Sequence, residues 1–254
     1  ESTGSKFLAT GHYVRRIFDG VKPSIYQARD NTKDQSYFLF ATTPSQLKIL
    51  RFPLGEFSKE KVRHLANFFG LNNADKPDSQ DICFVPNGNY RDFIKQNTFE
   101  KLIKGNIENS NGDVLGKHNG ITGYTVGQRK GIGIGGIKGE NYHSPYYVIE
   151  IDKDNNKVIV GPREKLKKYK IYLKDINLIN EDEDPVFNAE IKIRSGEKKI
   201  KANIKILDDK RNAIVELFSP EYGVAPGQAC VFYKKEKVVG GGWIIAAEKN
   251  NGLW

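Results

Sequence analysis

Apolar positions follow three spacings along this chain, and each predicts a different kind of structure. Lys6 to Thr10 encloses the short run Phe7-Leu8-Ala9, the pattern of a buried parallel strand, and Gly11-His12-Tyr13 follows at its carboxyl end. Tyr13 to Ile17 and Ile25 to Ala28 are extended pieces joined by the turn-forming Asp19-Gly20, which predicts a hairpin with a basic tip from Arg15 and Arg16. Helical spacing comes next. Thr43-Pro44-Ser45-Gln46 has a capping threonine, proline at the first helical position and glutamine at the third, and so starts a helix. From Ser58 to Phe69 the residues Val62, Leu65, Ala66 and Phe69 form an apolar stripe, with Ser58 as cap, Gly70 as stop and His64 on the solvated side. Asn89 can cap a further helix carrying Tyr90, Phe93 and Ile94 on one face.

Beyond that helix the spacing becomes alternate. Asn111-Gly112-Asp113 predicts a tight turn, and Tyr146 to Ile151 pairs with Lys157 to Val160 across Asp154-Asn155-Asn156, which suggests a small middle domain. A basic run from Arg163 to Lys170 then reads as a linker. Ala189 to Arg194 and parts of Ile200 to Ile206 alternate apolar with mostly charged residues; Ala213 to Leu217, Ala229 to Tyr233 and Trp243 to Ala246 add further strands. About six short antiparallel strands at this spacing predict a small barrel.

Composition narrows the partners. With 254 residues, 38% of them hydrophobic, the chain can build its cores without staples. Forty Lys and Arg against 31 Asp and Glu leave a net charge of +9, which favours an anionic partner, with nucleic acid as the first candidate. Cys83 and Cys230 are far apart, without CxxC spacing, and His12, His64, His118 and His143 are scattered. Neither a disulfide framework nor a zinc site is suggested, and such usage suits a reducing, cytoplasmic setting. No run approaches the roughly 18 apolar residues of a membrane span, so no membrane association is expected. The absence of methionine, even at position 1, suggests a fragment or a processed product.

Candidate chemistry centres on Cys83, set in Lys76-Pro77-Asp78-Ser79-Gln80-Asp81-Ile82-Cys83-Phe84-Val85-Pro86. It reads either as a small buried hydrophobe or as a functional thiol. Asp78 and Asp81 would, if close, disfavour its thiolate, and Lys76 or a helix N-terminus would have to oppose them, a tension that suits a persulfide relay better than a standing nucleophile. A cysteine hydrolase would also need an activating histidine, and none of the four sits in a recognisable signature. Gly131-Ile132-Gly133-Ile134-Gly135-Gly136 fits GxGxxG, but Gly127-Gln128-Arg129-Lys130 before it is no hydrophobic strand and Ile137-Lys138-Gly139 after it starts no helix. That stretch is either a structural turn or a loop in which Gln128, Arg129 and Lys130 meet phosphate or base edges. Lys33-Asp34-Gln35 beside Tyr37-Phe38-Leu39-Phe40 is a recognition turn or a solvated loop. Gly11, at a strand end, would let a ligand approach the backbone, and Cys230, beside Val231 and Phe232, reads as core.

Several stretches in order, Ala9-Thr10-Gly11-His12-Tyr13, Lys33-Asp34-Gln35-Ser36-Tyr37-Phe38-Leu39, Phe52-Pro53-Leu54-Gly55, Asp78 to Phe84, Tyr124-Thr125-Val126-Gly127-Gln128-Arg129-Lys130-Gly131, Pro226-Gly227-Gln228 and Val238-Val239-Gly240-Gly241-Gly242, resemble the tRNA-specific 2-thiouridylase (MnmA) family. The resemblance implies adenylation of the C2 oxygen of the wobble uridine by ATP, with Mg2+, followed by sulfur transfer. It implies a persulfide on Cys83, released with the help of a second, upstream cysteine through a disulfide. It further implies an ATP site at Gly11 and tRNA contacts at His12, Lys33, Asp34, Gln35, Arg194 and Gln228. Ser195 stands where the family usually has tyrosine. The implied partners are the tRNA anticodon arm and a sulfur donor, either a cysteine desulfurase or a sulfur-relay protein.

The implied fold is α/β plus β. Residues 1–84 would be the C-terminal part of a Rossmann-like PP-loop ATP-binding domain, 85–162 a small central tRNA-binding domain and 163–254 a C-terminal antiparallel β-barrel. The family's glycine-rich phosphate loop and upstream cysteine are not in this sequence, which implies that the chain alone does not adenylate uridine. The alternative is a non-catalytic RNA-binding fragment.

Overall fold

The computed structural model describes residues 4–18, 20–72, 74, 103–134, 145–179, 183–196 and 198–248. The Cys83 loop and the helix expected after Asn89 lie outside the described residues. The chain divides into two compact units, one of Glu1–Asp75, Lys168–Pro220 and Pro226–Trp254, the other of Lys76–Lys167 and Glu221–Ala225.

In the first unit, β1 (Leu8–Ala9) pairs in parallel with β4 (Leu50–Arg51). The direction agrees with the expectation and the burial does not. Phe7 and Leu8 are 57% and 56% exposed, because a sheet of two short strands covers neither of its faces; the Arg51 guanidinium lies 3.8 Å from the Phe7 ring centroid. The hairpin forms between β2 (Val14–Phe18) and β3 (Pro23–Gln27), with Gly20 at φ +97° in its turn. Arg15 and Arg16 are not at its tip. Both belong to the paired strand, where Arg15 Nε donates to the Gln27 carbonyl at 2.7 Å and Arg16 Nε to that of Leu47 at 2.9 Å.

Helix α1 (Pro44–Ile49) starts with the expected capping box: Thr43 Oγ1 accepts from Gln46 N at 3.3 Å while Gln46 Oε1 accepts from Thr43 N at 2.9 Å. Helix α2 (Lys59–Phe68) is capped by Ser58, whose Oγ accepts from Lys61 N at 3.2 Å, and is followed by Gly70 at φ +66°. Its stripe is only half buried at Val62, Leu65 and Ala66, Phe69 is exposed, and no residue of the helix is fully buried. His64 is exposed, as its position off the stripe predicts.

The second unit contains β5 (Gly105–Asn109), β6 (Val114–His118), β7 (Tyr147–Asp152) and β8 (Lys157–Gly161) in the order β6-β5-β8-β7. The β5–β8 pairing is parallel and the other two are antiparallel. Asn109 Oδ1 closes the expected turn by accepting from Asn111 N and Asp113 N, both at 2.9 Å, with Gly112 at φ +90°. Ile107, Ile132, Val148, Val158 and Val160 form the core. Ile132 comes from the glycine-rich stretch: Gly131 and Gly133 flank it at φ +70° and +84°, a backbone that turns one apolar side chain inward rather than cradling a dinucleotide. The expected linker is corrected too. Arg163–Leu166 forms a 3-10 turn with Leu166 buried, and a strand already opens at Lys168.

That strand, β9 (Lys168–Leu178), begins the barrel, followed by β10 (Val186–Lys192), β11 (Ile200–Ile206), β12 (Asn212–Glu221), β13 (Ala229–Lys234) and β14 (Lys237–Glu248). The order β13-β10-β11-β12-β9-β14, with β13 also paired to β14, closes a ring of six strands as the alternation predicts. The β2–β3 hairpin extends this sheet, since Tyr26 pairs with Lys237 on β14. Strand β14 contacts β9, β13 and β3, and the glycines of the Val238 to Gly242 motif permit the approach. A Cβ on Gly241 would lie 2.6 Å from the Cys230 carbonyl oxygen and 2.8 Å from Phe40. Strand β13 is buried on both faces. Ala229, Val231 and Tyr233 pack outside the ring against Val14, Ile25, Phe40, Leu47 and Phe52. Among the described residues no helix is long and apolar enough to cross a membrane.

Candidate nucleic-acid interface

Residues 33–37 connect the hairpin to the barrel. Tyr13 and Gln35 exchange two bonds: Gln35 N donates to the Tyr13 carbonyl at 3.0 Å, and Tyr13 N donates to Gln35 Oε1 at 2.8 Å. This holds the loop beside His12, whose exposed ring places Nδ1 3.0 Å from Thr10 Oγ1. Asp34 points inward. Its carboxylate accepts from Gln27 Nε2 and Ser36 Oγ at 2.8 Å each, from Ala28 N at 3.0 Å and from Ser36 N at 3.2 Å, and its side chain is only 3% exposed. Lys192 Nζ, 3.9 Å away on β10, supplies a balancing charge.

The barrel side of this contact carries the other candidates. The Tyr37 hydroxyl is 3.0 Å from both the Ile193 and the Ala229 carbonyl oxygens, so the residues next in sequence, Arg194 and Gln228, lie on strand ends tied to the same loop. Arg194 and Lys33 are half buried and Ser195 is exposed. Gln228 Oε1 is buried without a hydrogen-bond partner, an acceptor available to a donor brought by a ligand. The ammonium groups of Lys192 and Lys199 lie 5.8 and 4.9 Å from the Tyr233 ring centroid, adding positive charge beneath the loop. Burial lowers the Lys199 pKa, opposed by Glu190 at 3.8 Å.

Gly11 sits where β1 and β4 both end. It is exposed, and the position of a Cβ there would have only Leu54 Cδ1 nearby, at 3.8 Å. Among the described residues no group of three or more His, Cys, Asp or Glu side chains is placed to hold a metal ion.

Gln128, Arg129 and Lys130 belong to the second unit. Gln128 is a clasp: Oε1 accepts from Thr125 N at 3.1 Å, Nε2 donates to the Lys130 carbonyl at 2.9 Å, and its backbone bonds to Val148. The clasp leaves Arg129 and Lys130 exposed at the turn.

Cys83 lies outside the described residues. Cys230 is buried in β13, and burial pushes its thiol pKa far up. In the folded protein Cys230 is expected to stay unlabelled by iodoacetamide at pH 8 and to react once guanidinium unfolds the chain; labelling in native buffer as fast as in denaturant would contradict its core position.

Sequence reasoning gave Ser36 and Tyr37 no role beyond their place in the Lys33 to Leu39 motif, and did not single out Tyr233, Lys192 or Lys199. Apart from the local Ser36–Asp34 bonds, the partners are remote in sequence, and no local pattern announces them.

A family model described as the tRNA methyl transferase HUP domain matches residues 1–87, the tRNA methyl transferase PRC-barrel domain 91–162, and the aminomethyltransferase beta-barrel domain 168–244. Among curated relatives, the tRNA-specific 2-thiouridylase of Rhodospirillum centenum is 44% identical over 253 residues, covering 98% of this chain and 64% of its own. That of a Wolbachia of Drosophila simulans is 46% identical, covering 97% and 64%, and that of Rickettsia canadensis 48% identical, covering 95% and 64%. The segment models carry methyl-transferase names, whereas proteins matching almost all of this chain are 2-thiouridylases; the longer match is the more specific. The chain spans about 64% of the length of these relatives.

Proposed function

We infer, given that this chain belongs to the tRNA-specific 2-thiouridylase (MnmA) family, that the protein carrying it replaces the C2 oxygen of the tRNA wobble uridine with sulfur. The observation that supports an RNA interface is the tie between two separate stretches. The loop with Lys33, Asp34 and Gln35, next to His12, is bonded through Tyr37 to the strand ends with Arg194 and Gln228. Lys33 and Arg194 would meet phosphates, Gln228 and His12 would offer polar groups to RNA, and Asp34 and Gln35 would hold the loop in shape. Ser195 and, in the second unit, Gln128, Arg129 and Lys130 complete the proposed tRNA contacts. The proposed domains are 1–84, 85–162 and 163–254.

In the proposed reaction the uridine C2 oxygen attacks the α-phosphate of ATP and expels pyrophosphate. Gly11, open at the ends of two parallel strands, suits the approach of the nucleotide, and Mg2+ would accompany the triphosphate. The terminal sulfur of a Cys83 persulfide then attacks C2 and AMP leaves. A second cysteine attacks Cys83 Sγ, so that a disulfide forms and the thiolated base departs; a thiol reductant resets the pair. The persulfide would come from a cysteine desulfurase or a sulfur-relay protein, in the cytoplasm.

RNA binding by this chain tests the interface directly. Affinity for a tRNA anticodon arm should fall steeply with salt, and Lys33→Ala or Arg194→Ala should each weaken it by about three- to tenfold near 0.1 M salt, lowering the log–log salt slope by about 1. A flat salt dependence, or two variants indistinguishable from the parent, would remove the assignment. A non-catalytic RNA-binding protein would pass this test as well. The thiolation assay of the Cys83 variant and its parent, argued in the Discussion, separates the two.

A further inference from the structure

We infer that Tyr37, with Tyr233 behind it, is a positioning residue of the RNA interface: its hydroxyl holds the Lys33 loop in register with the strand ends that carry Arg194 and Gln228. This deepens the proposed function and rests on the RNA reading of that surface. Tyr37 has one hydroxyl proton and two carbonyl oxygens, those of Ile193 and Ala229, at 3.0 Å each. Those carbonyls come from two segments that flank the site, immediately before Arg194 and immediately after Gln228. One side chain from the loop therefore fixes both.

A second pin runs in the opposite direction. Ser36 Oγ lies 2.8 Å from Asp34 Oδ2 and 3.2 Å from the Tyr233 hydroxyl. An ionised carboxylate only accepts, so the serine proton goes to Asp34 and the Tyr233 proton goes to Ser36 Oγ. Tyr233 belongs to β13, is buried, and has its pKa raised by burial, so it remains a proton donor across the neutral range. The loop thus reaches into the barrel through Tyr37, and the barrel reaches into the loop through Tyr233. Lys192, near Asp34, lies two residues before Arg194 on the same stretch of chain and ties the charge balance to the same register. Two pins from opposite sides fix a direction as well as a distance, which is what simultaneous contact with neighbouring RNA phosphates requires.

Tyr37→Phe removes only the hydroxyl and keeps the ring. Its affinity for an anticodon-arm RNA, measured well below the melting temperature, should drop about five- to tenfold. In an Arg194→Ala background the same change should cost clearly less than in the parent, because one of the groups being positioned is gone, whereas in a Lys130→Ala background the full loss should remain. A hydroxyl with a merely structural role would give equal losses in all three backgrounds, and that result overturns the inference, as does RNA affinity unchanged in Tyr37→Phe.

A direct readout needs no RNA. Nitroxide labels at Lys33→Cys and Arg194→Cys, in a Cys83→Ser background that leaves only buried Cys230, report the distance between the two stretches by pulsed electron resonance. Tyr37→Phe should broaden that distribution, and an unchanged distribution overturns the inference. If the parent chain binds no RNA, the proposed function of this surface fails, while the label distances still decide whether Tyr37 sets the register.

Discussion

On the proposed function, replacing Cys83 with serine should abolish 2-thiouridine formation by the whole protein, by at least about a thousandfold, and leave tRNA affinity within about twofold. A serine oxygen cannot carry a sulfane sulfur, so the group to be transferred has no place to sit. Cys230, the other cysteine of this sequence, is not expected to substitute for it: it is buried in a barrel strand, and burial holds its thiol protonated. The surroundings of Cys83 in sequence point the same way, since Asp78 and Asp81, if close to it in space, would work against a free thiolate and favour a sulfur loaded only when a donor delivers it. Nucleoside mass spectrometry of tRNA after reaction, with a parallel binding assay, reads both halves of the prediction. Thiolation retained in the serine variant would overturn the role of Cys83, and no thiolation by the parent protein would leave an RNA-binding role as the better account.

The second large effect is on stability. Asp34→Ala should destabilise the unit that contains it by about 3–5 kcal/mol, roughly 10 °C in melting temperature, and abolish RNA binding at temperatures where the loop is released. Four donors converge on this carboxylate, from Gln27, Ala28 and both groups of Ser36, and Lys192 stands beside it. Removing the acceptor leaves those groups unpaired in a place largely shielded from water. Asp34→Asn should cost less, because one oxygen still accepts while the new amide opposes donors on the other side. Calorimetry of the three proteins orders them; a melting temperature for Asp34→Ala within about 2 °C of the parent would mean that the carboxylate is not holding the loop.

The two effects differ in what made them visible. The Cys83 prediction came from a window of neighbouring residues and from ordered motifs, and needs no coordinates. The Asp34 prediction runs against the surface role that a charged residue in a polar turn suggests, and only the burial of its side chain reveals it. Arg15 and Arg16 gave the reverse error. Placed beside a turn in sequence, they suggested a basic hairpin tip, yet their guanidinium groups bond to backbone carbonyls within the fold.

What the sequence determined by itself was whatever depends on neighbours a few residues apart. The Thr43 capping box, the cap at Ser58, the β2–β3 hairpin, the Asn109 turn and the alternating barrel strands are all local patterns, and all of them appear where the residues indicate. What only the tertiary structure decided was which of these pieces meet. The hairpin joins the barrel sheet at a single pairing, Tyr26 with Lys237, and Tyr37 finds its two carbonyls 156 and 192 residues away. Burial is equally non-local: the Phe7-Leu8-Ala9 run has the composition of a core strand but stays exposed beside one short partner, while charged Asp34 is enclosed. A side chain's environment is set by the surfaces that close over it, and those surfaces come from parts of the chain that its own neighbours do not specify.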